Sequence, residues 1–350
     1  MSTTSAATVQ PCHRKQYVAA PAGYATNEHL CRTILAQLTP ARRRSGGDRG
    51  HDVAAEVAAV QLPRIGWFVQ RRLPLQMVLP AFPAKSPSTR KVMGVLPDLA
   101  ERTAIDFLQA CCARIAAHYP PGVVLTLCSD GHVFGDAIGH SDDVIEAYRA
   151  ALAGIMIEQR ADHLRLFGLG DWPGCAPPTA PDHARLREHL LRVHGLPVEQ
   201  VRARLLQSSD GRRQLAAMTR FMLEDDYDAH VSRSRSAAQR IAKRQALAVL
   251  QRSWAWGALL AELFPQAVRL SIHPQSAGAI KFGIHLSEER DAWMTPWHGV
   301  LLKDGNRSHM VRRHQAEALG AVPVAIGTTH AHFVLPATRL LATRAQGCAS

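Results

Sequence analysis

Several features that mark common protein classes are absent from this chain. No stretch approaches the roughly 20 apolar residues that a membrane-spanning helix needs, and residues 1–16 lack the apolar core of a secretory signal peptide. We therefore expect a soluble cytoplasmic protein without membrane contacts. The seven cysteines are an odd set without a C-x-x-C pair, which argues against a disulfide framework or a zinc ribbon.

Motifs for nucleotides and metals are missing as well. The chain has no G-x-G-x-x-G after a strand pattern and no G-x-x-x-x-G-K-[ST], so neither NAD nor ATP is indicated. Eighteen histidines are present, but none has H-E-x-x-H or facial-triad spacing, and His330 and His332 lack a carboxylate partner. We predict that the protein uses no metal and no cofactor.

The charge balance is basic, with 41 Lys and Arg against 29 Asp and Glu, which gives a net charge of +12. Such a surplus is compatible with nucleic acid, with an anionic small substrate, or with a compositional bias alone. Only Arg42 to Arg44 form a tight run, and the Arg-rich stretch 233–244 lacks the interleaved aromatics of a base-stacking platform. A nucleic-acid-binding module is therefore our weakest alternative, and we predict no nucleic-acid partner.

The order of the elements predicts an α/β protein. Residues 27–38 and the stretch after Pro97, capped by Asp98 and Glu101, have helical spacing. The apolar, β-branched run 123–128 is typical of a buried strand, and it ends directly in the polar turn Ser129-Asp130-Gly131. Another helix is predicted after Ser141. We expect a Rossmann-like mixed sheet flanked by helices, with a helical subdomain and with ligands beyond the carboxyl ends of the strands.

Later patterns complete this organisation. Alternating apolar residues predict strands at 267–273 and 279–286 joined by a hairpin loop, and a strand, helix, strand unit between 298 and 327. The domains expected are an N-terminal arm and short helix at 1–60, partly disordered and including a loose loop at 41–52, and a catalytic domain at 61–340. This domain carries a helical insertion around 176–250, and residues 341–350 form a frayed tail.

Two long blocks point to a known family. Residues 79–101 (LPAFPAKSPSTRKVMGVLPDLAE) and 124–148 (VLTLCSDGHVFGDAIGHSDDVIEAY) resemble the isonitrile (isocyanide) synthases, the pyoverdine/dityrosine biosynthesis proteins. Residues 252–275, KFGIHL at 281–286 and TPWHGV at 295–300 are similar to the same family in the same order. The resemblance covers roughly residues 65 to 335.

The resemblance implies a chemistry. Membership of this family implies an enzyme that condenses the amino group of an aromatic amino acid, tyrosine or tryptophan, with ribulose 5-phosphate. The carbonyl carbon of the sugar becomes the isonitrile carbon. An Fe(II)/2-oxoglutarate-dependent oxygenase is the implied next enzyme of the pathway. The dityrosine branch suggests an amino-acid formylating enzyme as the alternative. Trp67, Phe68, Phe134 and Trp297 could surround either aromatic substrate, so the choice between them stays open.

Such a reaction needs a site for a phosphate and acid/base groups around a ketone. Lys85, Ser86, Arg90 and Lys91 lie in a Pro-broken loop before the capped helix, where they could bind the phosphate or form only a solvated basic loop. Asp130 after the buried strand is a candidate acid or base, although an Asp there could equally serve as a turn former.

Other candidates follow from similar reasoning. The family usually has Arg at the position of His132, which puts a guanidinium contact there in doubt. Lys281 is a candidate base or phosphate ligand on the polar side of its strand, opposite Ile280 and Phe282. The remaining catalytic candidates are His273 and His298, and the remaining substrate-binding candidates are Ser129, Asp136, Arg240 and Trp297, the last with ordinary core packing as its alternative.

Overall fold

The computed structural model describes residues 24–46, 48, 52–173, 182–226, 233–289 and 294–336. Residues 1–23 of the expected N-terminal arm and the tail expected at 341–350 lie outside these residues. The described helices, in chain order, are α1 (Tyr24–Leu38), α2 (Val53–Arg71), α3 (Leu99–Ala116), α4 (Gly131–Ile138), α5 (Asp142–Glu158), α6 (His183–His194), α7 (Val198–Gln207), α8 (Ser209–Asp225), α9 (Arg235–Leu263) and α10 (Arg313–Ala318).

The main sheet has five parallel strands in the order β3-β2-β1-β4-β5. The apolar strands β1 and β2 lie in the middle because helices cover both of their faces. The strand order reverses between β1 and β4, and the carboxyl ends on either side of such a reversal form the usual ligand crevice. The prediction of a Rossmann-like α/β fold is confirmed. The strands are β1 (Leu75–Pro80), β2 (Val123–Cys128), β3 (Leu164–Phe167), β4 (Val268–Ser271) and β5 (Phe282–Gly283).

Two apolar layers hold the helices on this sheet. On one face, residues of α1, α2, α3 and α5 pack against one side of the strands in a single large core. On the other face, Val133 of α4, Leu190 of α6 and Trp256 of α9 pack against Val78 and Cys128. The helices α7, α8 and the first half of α9 form a further cluster, which also includes Ala137 of α4. These burial patterns place the helical layer beside the carboxyl ends of β1 and β2.

The predicted N-terminal caps of two helices are confirmed. Asp98 caps α3, and Glu101 completes a capping box by accepting a hydrogen bond from the Asp98 backbone N–H at 2.9 Å. Ser141 caps α5 through a hydrogen bond from the N–H of Val144. Such caps satisfy backbone donors that a helix cannot pair internally.

The predicted hairpin between β4 and β5 is wrong, because the two strands pair in parallel, with Leu270 opposite Phe282. Alternation of apolar residues indicates a strand but not its direction. Residues that we expected in a loose loop occupy the space beside the sheet edge: Arg42 forms an isolated antiparallel bridge with Ile284, and the N–H of Arg43 donates to the carbonyl of Gly283 at 2.8 Å.

A second, four-stranded sheet has the order β7-β6-β9-β8. The predicted unit of strand, helix and strand corresponds to β6, α10 and β8. The sequence reading missed β7 and β9, and it assigned Met310 to the helix although this residue belongs to β7. No helix of the described residues is long and apolar enough to cross a membrane. The strands are β6 (Val300–Asp304), β7 (Arg307–Val311), β8 (Val322–Val324) and β9 (His332–Val334).

Candidate active site

The loops that follow β1 and β2 are locked together at the crevice. The Ser129 hydroxyl donates to the carbonyl of Phe82 at 2.9 Å, and Phe82 has a φ of 58°, a strained value for a residue with a side chain. A Cβ at Gly131 would lie 2.0 Å from the carbonyl oxygen of Pro83, so only glycine fits there. The hydroxyl of the buried Ser129 therefore holds the two loops together, and its expected contact with the substrate stays a prediction.

Asp130 is the most unusual carboxyl group at this crevice. It precedes α4 but makes no capping hydrogen bond, and its Oδ1 atom is shielded from solvent without a hydrogen-bond partner. Burial raises the pKa of Asp130 to about 7. A carboxyl group of this kind can give or take a proton near neutral pH. The alternative role as a turn former does not account for a carboxyl oxygen held in this way.

A second polar centre surrounds Asp225, the last residue of α8. The hydroxyl of Ser86 donates to its Oδ1, and the ammonium of Lys91 lies 2.9 Å from the same atom. Burial acts to raise the pKa of Asp225, but His298 and Lys91 hold it below its usual value. The backbone N–H of Ser86 also donates to the carbonyl of Trp297 at 2.8 Å. This centre therefore joins the loop after β1, the helical layer and the segment before β6.

His298 completes the second centre. Its Nδ1 lies 2.8 Å from the Thr295 hydroxyl, and its ring packs edge-on against Phe221 with centroids 4.7 Å apart. Burial lowers the pKa of His298 to about 4 although Asp225 opposes the shift, so the ring is neutral at pH 7. Burial likewise lowers the pKa of His140, which also interacts with Asp225. A neutral imidazole can accept a proton, as the candidate role of His298 requires.

Lys85 does not lie where the sequence prediction of a phosphate ligand requires. It is completely buried, and its ammonium group contacts Asp98 and Glu101, each at 2.9 Å, and the carbonyl of Pro296 at 3.0 Å. Burial raises the pKa of Glu101 to about 7, and the Tyr148 hydroxyl also bonds this carboxyl group at 3.1 Å. We therefore replace the expected phosphate contact of Lys85 with a structural role.

Three other predicted residues lie on the outer surface. Asp136 forms ion pairs with Arg252 at 2.6 Å and Arg187 at 3.4 Å, which tie α4 to α9 and α6. Its carboxylate is therefore neutralised by the protein, and we no longer expect it to bind the substrate. Arg240 lies exposed on α9, and Arg90 lies exposed on the loop after β1.

The aromatic residues proposed for a substrate wall belong mostly to the core. Trp297 is buried and packs against Phe82 with ring centroids 5.0 Å apart, so its core alternative accounts for it. Phe68 is buried in α2, where its ring meets that of Trp67 edge-on at 4.9 Å. Phe134 is half-buried on α4. These contacts favour core packing for Trp297, and its role in an aromatic wall stays a prediction.

His132 lies beside His183 instead of making the guanidinium contact of the family pattern. The two rings stack almost in parallel with centroids 3.5 Å apart. With Asp142 they place three potential metal-ligand atoms within 4.8 Å of one another, the one such group among the residues the structure describes. Arg187 binds Asp142 through two hydrogen bonds of 2.7 and 3.1 Å, so this carboxylate already has a cation partner, and the group fits a metal poorly.

Lys281 and His273 lie beside each other near β4 and β5. Burial lowers the pKa of Lys281, and Arg269 lowers it further. Burial also lowers the pKa of His273, to which Arg43 and Lys281 contribute. Both side chains remain accessible to solvent, as expected for groups in a cleft. Ile280 is 58% exposed, so the predicted alternation fails at this point, and Lys281 immediately precedes the short strand β5.

Sequence reasoning missed several residues of these centres. Asp225 and His140 gave no signal, because neither follows a predicted strand. Arg269 could have been found, since it is a charged residue within an otherwise apolar buried strand.

The comparisons with known proteins identify the lineage. The profile of the pyoverdine/dityrosine biosynthesis proteins matches residues 65–322. The chain belongs to this family. An L-tyrosine isonitrile synthase of Pseudomonas aeruginosa is 43% identical over 298 residues, which are 85% of this chain and 90% of that enzyme. The family resemblance inferred from the sequence is thereby confirmed.

Other members of the family extend the comparison. An L-tyrosine isonitrile synthase of Xenorhabdus nematophila is 40% identical over 88% of this chain and 92% of its own length. An L-tryptophan isonitrile synthase of Fischerella ambigua is 35% identical over 78% of this chain and 82% of its own length. The crystal structure of the PvcA protein from Pseudomonas aeruginosa superposes with a TM-score of 0.84 at 43% identity, covering 88% of this chain and 100% of that one. The fold and the enzyme class follow from these family members.

Proposed function

We propose that this isonitrile synthase joins the amino group of tyrosine or tryptophan to ribulose 5-phosphate, whose carbonyl carbon becomes the isonitrile carbon. The names of the relatives support an aromatic amino acid, since they specify L-tyrosine or L-tryptophan. The family resemblance supports the sugar phosphate. The proposal includes activity without a metal or other cofactor, a cytoplasmic location, and an Fe(II)/2-oxoglutarate-dependent oxygenase as the next enzyme of the pathway.

The environment of Asp130 is the observation that carries this proposal. Attack of the amine on the sugar ketone gives a carbinolamine, which must lose water to become an imine. The leaving hydroxyl group requires a proton, and the amine nitrogen must lose one. A carboxyl group with a pKa of about 7 is present in both protonation states at neutral pH, so Asp130 can serve both transfers in turn.

Isotope labelling tests the reaction. The purified protein, treated with EDTA, is incubated with tyrosine, tryptophan and ribulose 5-phosphate labelled at the carbonyl carbon, and the products are followed by mass spectrometry. We expect the label in an isonitrile of one of the two amino acids. A labelled N-formyl amino acid instead would favour the formylating alternative, and activity that returns only on addition of a metal would contradict the metal-free proposal.

The role of Asp130 is tested by Asp130→Asn, with Asp162→Asn as a matched control. The side chain of Asp162 is exposed and distant in sequence from every loop of the crevice. We expect Asp130→Asn to lower kcat by about 10²- to 10⁴-fold, the usual contribution of a general acid or base. The control should keep the kcat of the parent protein. An Asp130→Asn enzyme with unchanged kcat would exclude Asp130 as the proton-transfer group.

A further inference from the structure

Two cationic side chains lie together at the edge of the sheet. Arg269 and Lys281 each immediately precede one residue of the parallel pair Leu270 and Phe282. Burial is the main cause of the lowered pKa of Lys281, and Arg269 lies close enough to lower it further. Arg269 donates through Nη2 to the carbonyl of Gly257 at 2.9 Å, which holds its guanidinium against α9.

Arg64 of α2 adds a third cation. Its Nη1 donates to the carbonyl of Ala267 at 3.1 Å, directly before β4, while its Nε is shielded from solvent and has no hydrogen-bond partner. Arg64 lies close enough to Arg269 to lower the pKa of that guanidinium, although burial has the larger effect. The three side chains therefore form one group, which we call the edge cations: Arg64, Arg269 and Lys281.

The edge cations lack a carboxylate partner among the described residues. No Asp or Glu that the structure describes forms an ion pair with Arg64, Arg269 or Lys281. The contrast with the loop after β1 is clear, because Lys85 and Lys91 each have a carboxylate oxygen at 2.9 Å. Neighbouring like charges repel one another unless an anion lies between them, and an anion would also satisfy the shielded Nε of Arg64.

One of the edge cations, Arg269, acts on the same thiol as Asp130. Cys128, at the end of β2, is close enough to both groups that Asp130 raises and Arg269 lowers the pKa of its thiol, while burial is the main cause of its shift. The thiol of Cys128 is therefore within electrostatic reach of both the proton-transfer group and one of the edge cations.

We infer that Arg64, Arg269 and Lys281 bind the phosphate group of the sugar substrate. The identity of the sugar rests on the proposed function, whereas the binding of a phosphate dianion does not. Guanidinium and ammonium groups are the usual phosphate donors in proteins. This inference moves the phosphate from the loop that contains Lys85 and Lys91 to the edge of the sheet, and it gives Lys281 a binding role in place of a catalytic one.

Titration calorimetry with the full chain tests the inference without turnover. Inorganic phosphate, ribulose 5-phosphate and unphosphorylated ribulose are titrated into the parent protein, Lys281→Gln and Arg244→Gln. The control substitution Arg244→Gln also removes one positive charge, but from the exposed face of α9. We expect Lys281→Gln to weaken both phosphate ligands by about 10- to 100-fold, the range for a lost hydrogen bond to a charged group, while the control binds them as the parent protein does.

A second substitution guards against an effect of folding. Lys281→Arg keeps the charge and should restore most of the phosphate affinity, and Lys281→Gln should keep the parent Tm because the side chain is exposed. Equal affinity of Lys281→Gln and the parent protein for inorganic phosphate would overturn the inference, even if the protein makes an isonitrile. Phosphate binding that depends on Lys281 in a protein that makes no isonitrile would instead leave the site intact and refute the proposed function.

Discussion

At the scale of single residues, the protein keeps a carboxyl group in a place that costs stability. The raised pKa of Asp130 means that its charged form is less stable in the folded chain than in the unfolded one. Its hydrogen-bonding capacity is unused in part, since Oδ1 has no partner. Groups that lower stability in this way are typical of active sites, where the same environment is required for chemistry.

Substitution of Asp130 should therefore stabilise the protein. The pKa of Asp130 in the folded chain, about 7, exceeds its value in the unfolded chain, so the ionised carboxylate lowers the free energy of unfolding. This contribution is complete above pH 7 and disappears as the pH falls toward 4. We expect Asp130→Asn to raise the free energy of unfolding by about 1 to 3 kcal/mol at pH 8. Urea unfolding at pH 8 and pH 5 checks this. A gain that is equal at both pH values would contradict the assigned pKa.

At the scale of elements, the start of α3 depends on a buried ion pair network. Asp98 caps the helix while it also contacts Lys85, and Glu101 both completes the capping box and contacts the same ammonium group. The helix therefore begins on charges that the protein interior has to neutralise. The capping signal could be predicted from the sequence, whereas the lysine that balances it could not, because Lys85 lies 13 residues before Asp98 and no local pattern links the two.

Lys85→Met should leave these two carboxyl groups without their cation. Removing one partner of a buried ion pair typically costs about 3 to 5 kcal/mol, and we expect a loss of that size in the free energy of unfolding, measured in urea at pH 7. Arg102→Met is the control, because its partner Glu158 is exposed and the pair contributes little. Equal losses for the two variants would refute the structural role of Lys85.

The packing of α4 against α6 carries a pH dependence of its own. His132 stacks on His183, and burial lowers the pKa values of both, that of His132 to about 4. Because the unfolded chain binds a proton at His132 from about pH 6.5, the contribution of this residue is complete above that pH. It is lost as the pH falls toward 4.

His132→Asn should therefore flatten the decrease in stability between pH 6.5 and 4. The comparison is made by thermal unfolding of the parent protein and the variant across this range, with exposed His118→Asn as the control. We expect the difference between the two Tm values to shrink or reverse at the acidic end. Parallel curves for His132→Asn and the parent protein would show that this imidazole does not resist protonation.

At the scale of the whole molecule, local patterns predicted the elements better than their partners. The strand at 123–128 and the caps of α3 and α5 follow from short stretches of sequence, and all three are confirmed. The direction of β5 could not be predicted, since it depends on pairing with β4 and on residues 42–44. Asp130 could be found because it follows a predicted strand closely, whereas Asp225 could not, because it follows no predicted strand.

The contacts of Asp225 also determine when the site can exist during synthesis. Ser86 and Asp225 are separated by 139 positions, and Lys91 and Asp225 by 134. Closing so long a loop costs entropy, and contacts at large sequence separation slow folding. The segment that forms α8 must therefore leave the ribosome before the loop after β1 can contact the carboxylate of Asp225. Until then the hydroxyl of Ser86 and the ammonium group of Lys91 lack this carboxylate partner, so the centre around Asp225 forms only after the strands β1, β2 and β3 have been synthesised.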